Sequence, residues 1–298
     1  MERKTHMLGK LVNLWDFSLN SLRCYLIKWH LNSLVTLFRI FIHFGPWRVL
    51  PEFLISRFKP AVQTLDENKT SLLASLDVNS AADEIQENSL FIAGVLPSDF
   101  VSRLRVITDR LPNEEYLLVH QVDENIQRLS EDPTIKNVLR AYFKSEPELL
   151  ECSLFVSGST KNDGKPSGQN YFHFDYAGWN SLNVFVYLTD VTTQSSYHSV
   201  AKGSHRKLSL LDRLRGSLTD DEANRRFGSS IEDITRPAGT LFFENTEAMH
   251  RRNFSNERRV MLNMLYASHR NWLSYGRISS SQIKFRNETY DRLKYFES

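Results

Sequence analysis

Within the stretch QNYFHFDYAGWNSLNVFVYLTDV (169–191), His173 and Asp175 stand two residues apart. In an extended strand, side chains at that spacing leave the same face, so an imidazole and a carboxylate can converge on one ion while Phe172, Phe174 and Tyr176 turn away into packing. Downstream, the apolar run GTLFFE (239–244) leads into NTEAMHRR, which puts His250 just beyond a second buried strand. Two histidines and one carboxylate occupy one face of an octahedron and leave three adjacent positions open, the geometry of non-haem iron(II) oxygenases. A His, any residue, Asp triplet alone is a weak signal, because a solitary histidine is more often a hydrogen-bonded structural residue. Nine positions after His250, Arg259 opens the apolar run VMLNMLYAS. A guanidinium projecting into a barrel needs an anion, and its planar fork suits the distal carboxylate of a dicarboxylate cosubstrate. Arg258, on the opposite face, is the rival for that role.

Elements that could position these groups fall in two halves. SLFIAGV (89–95) reads as a buried strand, and Pro97, Ser98 and Asp99 open a helix with Phe100, Leu104, Ile107 and Leu111 at helical spacing. A second helix is expected over 133–142, with Ile135, Val138 and Leu139 on one face. After Pro147 come short strand-like segments at 150–156, 170–176, 181–188, 239–243 and 259–266, with a charged, helix-compatible insertion over 207–226. Helices first and strands later argue for segregated elements rather than alternating βαβ units.

The chain has 298 residues, 41% hydrophobic and 24% charged, with 37 Lys and Arg against 35 Asp and Glu. A net charge of +2 supplies no global field for nucleic acid or an anionic membrane. The two cysteines, Cys24 and Cys152, are too few for a disulfide framework or a thiolate zinc site, which favours a reducing compartment and leaves one bridge open. Residues 8–58 are rich in Leu, Ile, Phe and Trp with interspersed charges. They are expected to form one or two helices that cover the catalytic domain, a second subunit or a lipid surface. Asp16, Arg23, Lys28 and Arg39 break the run, which argues against a secretory signal and against a spanning helix of roughly 20 apolar residues. The organisation expected is therefore a helical apolar segment over 1–60 and one domain over 61–298.

The sequence resembles the phytanoyl-CoA dioxygenase family of iron(II) and 2-oxoglutarate dependent oxygenases over residues 89–268. The resemblance rests on SLFIAGVLPSDFVSRLR, DPTIKNVLRAYFKSEPEL, HFD with NVFVYLTDV, KGSHRKL, and PAGTLFFENTEAMH followed by Arg259. It departs from the family at TTQSSYHSVAKGSH, which replaces an acidic and Gly-rich turn, and at the short spacing from His250 to Arg259. The resemblance implies a mainly β fold with flanking helices, its core a double-stranded β-helix, a cupin-like jelly roll. It implies His173, Asp175 and His250 as iron ligands and catalytic centre, and Arg259 as the 2-oxoglutarate anchor. It further implies that O2 is consumed, that succinate and carbon dioxide are released, and that an unactivated carbon of a small-molecule or lipid-like substrate is hydroxylated or otherwise oxidised. The alternative is a non-catalytic jelly-roll binding protein or membrane-associated interaction protein working through its N-terminal segment. Within enzymes, a cupin without the cosubstrate is the nearer rival, and Arg259 separates the two.

Other polar residues carry blander expectations. His205 reads as a turn residue and is the first substitute should His250 not be a ligand; His198 could line the entrance, and His120 and His269 read as structural. Trp179, Asn183 and Tyr187 lie near the metal-bearing sheet and could shape the pocket. Lys202, Arg206, Arg251 and Arg252 could meet an anionic substrate, with a solvated rim the plainer reading for most of them. No nucleic acid is expected as a partner. The location expected is the cytoplasm, with peripheral membrane contact or homo-oligomerisation through the N-terminal segment as open alternatives.

Overall fold

Apolar alternation on long strands builds the larger of two facing sheets here, and helices cover its outer face. The computed structural model describes residues 53–54, 57–62, 70–158, 168–175, 180–255 and 257–269. The expected helices of residues 8–58 thus lie almost wholly outside the described residues. Among those described, no helix is long and apolar enough to cross a membrane.

In chain order come helix α1 (Val78–Asn88), strand β1 (Leu90–Val95), α2 (Ser98–Thr108), β2 (Glu115–Leu117), α3 (Glu124–Ser130) and α4 (Pro133–Phe143). They are followed by β3 (Glu148–Ser157), β4 (Phe172–His173), β5 (Ser181–Tyr187), β6 (His198–Ala201), α5 (Leu210–Arg215), β7 (Ser217–Leu218) and α6 (Asp220–Phe227). Strands β8 (Ile231–Ile234), β9 (Thr240–Glu244), β10 (His250–Arg252) and β11 (Arg259–Ala267) complete the order. One sheet runs β1-β9-β5-β11-β3-β2 and the other β7-β4-β10-β6-β8, with antiparallel pairing throughout. Strands β3, β4, β5 and β6 pass alternately between the sheets, as do β8, β9, β10 and β11, with β7 an addition to the small sheet; this is the winding of a double-stranded β-helix. The fold is that jelly roll.

The helix layer is fixed by local sequence. Asp132 accepts from the amides of Thr134 and Ile135 through Oδ1, with Pro133 in the first turn, while its Oδ2 accepts from the amide of Leu72 at 2.7 Å. One carboxylate therefore caps α4 and ties down the chain before α1. Residues of one parity on the large sheet, among them Val184, Val186, Phe243, Leu262 and Tyr266, join Leu139 and Phe143 in the main core. The Tyr266 hydroxyl donates to the carbonyl of Ser130 at 2.7 Å, locking β11 to α3. The opposite parity faces the second sheet and gathers Phe185, Tyr187, Phe242 and Met261 against Val200 and Ile234. At the entry to β9, Gly239 adopts φ +90, and a Cβ there would meet the Leu96 carbonyl oxygen at 3.1 Å, so glycine is needed for the turn.

Several boundaries differ from the sequence expectation. The strand expected over 170–176 shrinks to Phe172–His173, since the chain leaves the ladder to place Asp175. The insertion over 207–226 holds two capped helices, as its charge pattern suggests, but also the two-residue strand β7, which pairs with β4 and closes the edge of the small sheet. Strands β2, β6, β8 and β10 were not anticipated. They have two to four residues' worth of apolar signal at most, and neighbouring strands rather than propensity determine them.

Candidate metal centre

His173 and His250 are direct partners across the β4–β10 pair, and they share the face that looks into the barrel. Phe172 and Phe174 turn to the outer face, where they pack with Leu218, Phe227 and Met249, so the parity expected of the HFD segment holds. Asp175 follows beyond the end of β4, and its amide donates to the Thr246 carbonyl at 2.8 Å. That single bond ties the carboxylate to the turn that delivers His250.

The three side chains meet. His250 Nε2 lies 3.6 Å from Asp175 Oδ2 and His173 Nε2 lies 3.9 Å from Asp175 Oδ1, and one donor atom from each residue falls within 4.8 Å of the others. Ligand atoms about 2.0–2.2 Å from a common ion stand about 3 Å apart, so an inward movement of about half an ångström would close the set. The other ring nitrogens are already engaged: His173 Nδ1–H donates to the Tyr171 carbonyl at 2.8 Å and His250 Nδ1–H to the Ala248 carbonyl at 3.0 Å. These bonds fix both tautomers with the Nε2 lone pair turned inward, the orientation metal-bound imidazoles take. Burial, with the charge of His173 next, pushes the His250 pKa down and keeps its ring neutral. The residues fit a divalent metal of the iron type, and a 2-His-1-carboxylate set leaves coordination positions open for other ligands.

A second layer was not foreseen from the sequence. Glu244, fully buried at the end of β9, brings Oε2 to 2.8 Å from His198 Nε2 and Oε1 to 3.7 Å from His250 Nδ1. The 2.8 Å approach is off-line, and neither Glu244 oxygen completes a hydrogen bond. Burial chiefly raises the Glu244 pKa, to about 7. His198, expected at the entrance, is instead 5% exposed and stacks on His250 at 5.2 Å between ring centroids. Burial first, then the charge of Arg259, pushes its pKa down to about 3. Asn183 donates to Asn263 Oδ1 at 2.8 Å, Asn263 to Ser153 Oγ at 3.2 Å, and Thr246 to Asn183 Oδ1 at 3.1 Å, a polar row on the inner face beside the triad. A Glu ending an apolar strand and an Asn inside VMLNMLY carried the available signal: polar residues on a buried parity.

Arg259 is 2% exposed at the start of β11, on the inner face with Met261 and Asn263. Its Nε and Nη1 are buried and have no hydrogen-bond partner. Burial lowers its pKa to about 10, offset in part by Tyr187, whose hydroxyl it meets. Arg258 faces outward and donates to the Thr108 carbonyl at 2.7 Å, so of the two arginines only Arg259 enters the barrel. Tyr187 sits on the inner face, its hydroxyl donating to the Ile234 carbonyl at 3.0 Å; Trp179 lies outside the described residues. His205 donates from Nε2 to the Gln86 carbonyl of α1 at 3.1 Å, so it is a structural turn residue as expected, but its bond reaches across the fold rather than staying local. His120 lies beside Cys152 on the helix side of the large sheet, and His269 Nδ1 meets Ser268 Oγ at 3.1 Å beyond the end of β11.

The two-sheet structure is similar to EctD from S. alaskensis with 2-oxoglutarate and 5-hydroxyectoine, at 18% sequence identity and a TM-score of 0.51, covering 70% of this chain and 82% of that one. It is also similar to apo HygX from Streptomyces hygroscopicus, at 17% identity and a TM-score of 0.50, covering 63% of this chain and 85% of that one. At these identities the likeness shows the fold. No protein-family model matches the chain, and no curated protein matches it.

Proposed function

We propose that this chain is a mononuclear iron(II) oxygenase that consumes 2-oxoglutarate and O2 and oxidises an unactivated carbon of a small-molecule or lipid-like substrate. One observation carries the reading: two inward-facing Nε2 atoms and a carboxylate converge on the small sheet, while the large sheet holds a buried guanidinium with unpaired Nε and Nη1 atoms. A structure of the same fold solved with 2-oxoglutarate, that of EctD, is consistent with it. The bound iron and cosubstrate would supply oxidative decarboxylation to succinate and carbon dioxide coupled to hydrogen abstraction.

The chain's own residues do the rest. His173, Asp175 and His250 hold the metal, and the Tyr171 and Ala248 carbonyls keep each imidazole proton on Nδ1 so that Nε2 can bind. Arg259 receives the distal carboxylate of the cosubstrate. Phe185, Phe242 and Met261 wall the inner face and exclude water around the reacting groups. Asn183, Thr246 and Asn263 offer the substrate hydrogen-bonding partners on the side of Asp175.

Metal analysis together with 2-oxoglutarate-dependent succinate release by the purified protein tests this reading. Stoichiometric iron and succinate formation are expected. A protein with neither is a jelly-roll binding module, and one with metal but no succinate release is a cupin without the cosubstrate. We read residues 1–60 as a cover for the domain or a contact for a lipid surface or second copy, which liposome flotation and solution mass resolve, and we place the protein in the cytoplasm with no nucleic-acid partner.

A further inference from the structure

Four basic residues near the site invite the reading of a solvated rim, and three of them fit it. Lys202 pairs with Glu232 at 3.0 Å. Arg206 is exposed. Arg251 pairs with Asp220 and lies over the Phe172 ring on the outer face. Arg252 does not fit. It lies two residues after His250 on the same strand and on the opposite parity to Arg251, so its side chain leaves β10 on the inner face that carries His250. It is half-buried, and no ion pair among the described residues includes it.

Arg259 approaches the same space from the other sheet with two buried, unpaired guanidinium nitrogens. The two cations are near enough to repel: the charge of Arg252 contributes to the lowered pKa of Arg259, after burial. Two like charges on the inner faces of opposite sheets, one of them fully buried and neither ion-paired among the described residues, favour an anion between them. The acidic groups of the barrel, Asp175 and Glu244, lie instead at the histidine cluster.

We propose that Arg252 and Arg259 form a two-guanidinium clamp for the distal carboxylate of the dicarboxylate cosubstrate, with Arg252 the residue that makes binding depend on that second carboxylate. The inference rests on the oxygenase reading for the identity of the ligand. Arg259 supplies the buried fork from the large sheet and Arg252 the second cation from the small sheet, at the end of the barrel away from Asp175. A ligand with the 2-oxo acid group but no distal carboxylate would leave the clamp unfilled.

The test compares full-length wild-type, Arg252→Gln and Arg252→Lys proteins by calorimetry. Three titrations are run: 2-oxoglutarate and 2-oxopentanoate into the anaerobic iron(II)-loaded form, and glutarate into the metal-free form. Arg252→Gln is expected to weaken 2-oxoglutarate and glutarate by about tenfold or more and to leave 2-oxopentanoate within about twofold of wild type. Arg252→Lys, which keeps the charge without the fork, should fall between. Unchanged affinity for the two dicarboxylates, or an equal loss for all three ligands, would overturn the clamp and leave the oxygenase reading standing. Glutarate bound through Arg252 by a protein that ignores 2-oxoglutarate even with iron would uphold the clamp and overturn the oxygenase reading. A wild type that binds none of the three overturns both.

Discussion

His173 and His250 face each other across a single strand pair with ring centroids 4.5 Å apart, and each donates its Nδ1 proton to a backbone carbonyl two residues earlier in the chain. The same local device is thus used twice, once on each strand, and the two unprotonated nitrogens are aimed at a common point beside Asp175.

Replacing His173, Asp175 or His250 by Ala is expected to lower iron affinity by about ten- to hundredfold or more, because each removes a ligand from a set of three. Elemental analysis of the folded variants after dialysis reads this directly. His205→Ala is the control and should retain wild-type iron, since its ring is committed to Gln86. Full iron in the His250 variant would mean the site is built differently.

Arg259→Met should move binding and stability in opposite directions. Losing the charge-assisted bidentate contact is expected to weaken 2-oxoglutarate by about 2–5 kcal/mol. Removing a buried guanidinium whose Nε and Nη1 lack partners should stabilise the ligand-free fold by about 1–3 kcal/mol. Calorimetric titration and urea unfolding of the metal-free protein measure the two effects. Arg258→Met should leave cosubstrate binding unchanged, and a loss there but not in Arg259→Met would reverse the assignment.

With Asp175 on the metal, chloride has no vacant protein-ligand position to occupy, so oxidation begun by hydrogen abstraction is expected rather than halogen transfer. Once a substrate is identified, turnover under isotopically labelled oxygen gas in chloride buffer should give label in a hydroxylated product, or a desaturated or ring-closed one without chlorine. A chlorine isotope pattern in the product would show that Asp175 does not bind the metal.

Away from the site, Tyr266→Phe should cost about 1–2 kcal/mol, because the buried Ser130 carbonyl loses its donor while the ring packing is kept. The shift of the urea midpoint at unchanged slope is the measurement; a variant as stable as wild type would mean water replaces the hydroxyl.

The inner-facing parity of His173 and Asp175, the entry of Arg259 and the helices at 98–108 and 133–143 were legible because each is set by local periodicity: two-residue alternation on strands and apolar recurrence on helices. The ends of the strand over 170–176 were not, since nothing local says that Asp175 will bond to Thr246, seventy-one residues away. Glu244 escapes the sequence reading, and His198 is placed at the entrance by it, for the same reason. Each is ordinary on its own strand and becomes part of the site only when β9, β6 and β10 are brought together. Arg252 was grouped with its basic neighbours because composition cannot tell a rim from an inward parity until the register of β10 is known.

The two walls of the barrel are unequal. Strand β11 is paired on both sides over most of its nine residues, while β4 has two residues and β10 three, and their mutual ladder is one pair, His250 with His173. Opening free energies within a protein follow such differences in pairing and packing. Backbone amides of β11 and β5 should therefore exchange with solvent only on global unfolding, and those around His173 and His250 through smaller openings that involve the small sheet alone. A divalent ion held across that one pair would act as a rivet on the weaker wall. Its release would then be a local melting event, with metal retention and hydrogen-exchange protection of the small sheet rising and falling together while the large sheet stays closed.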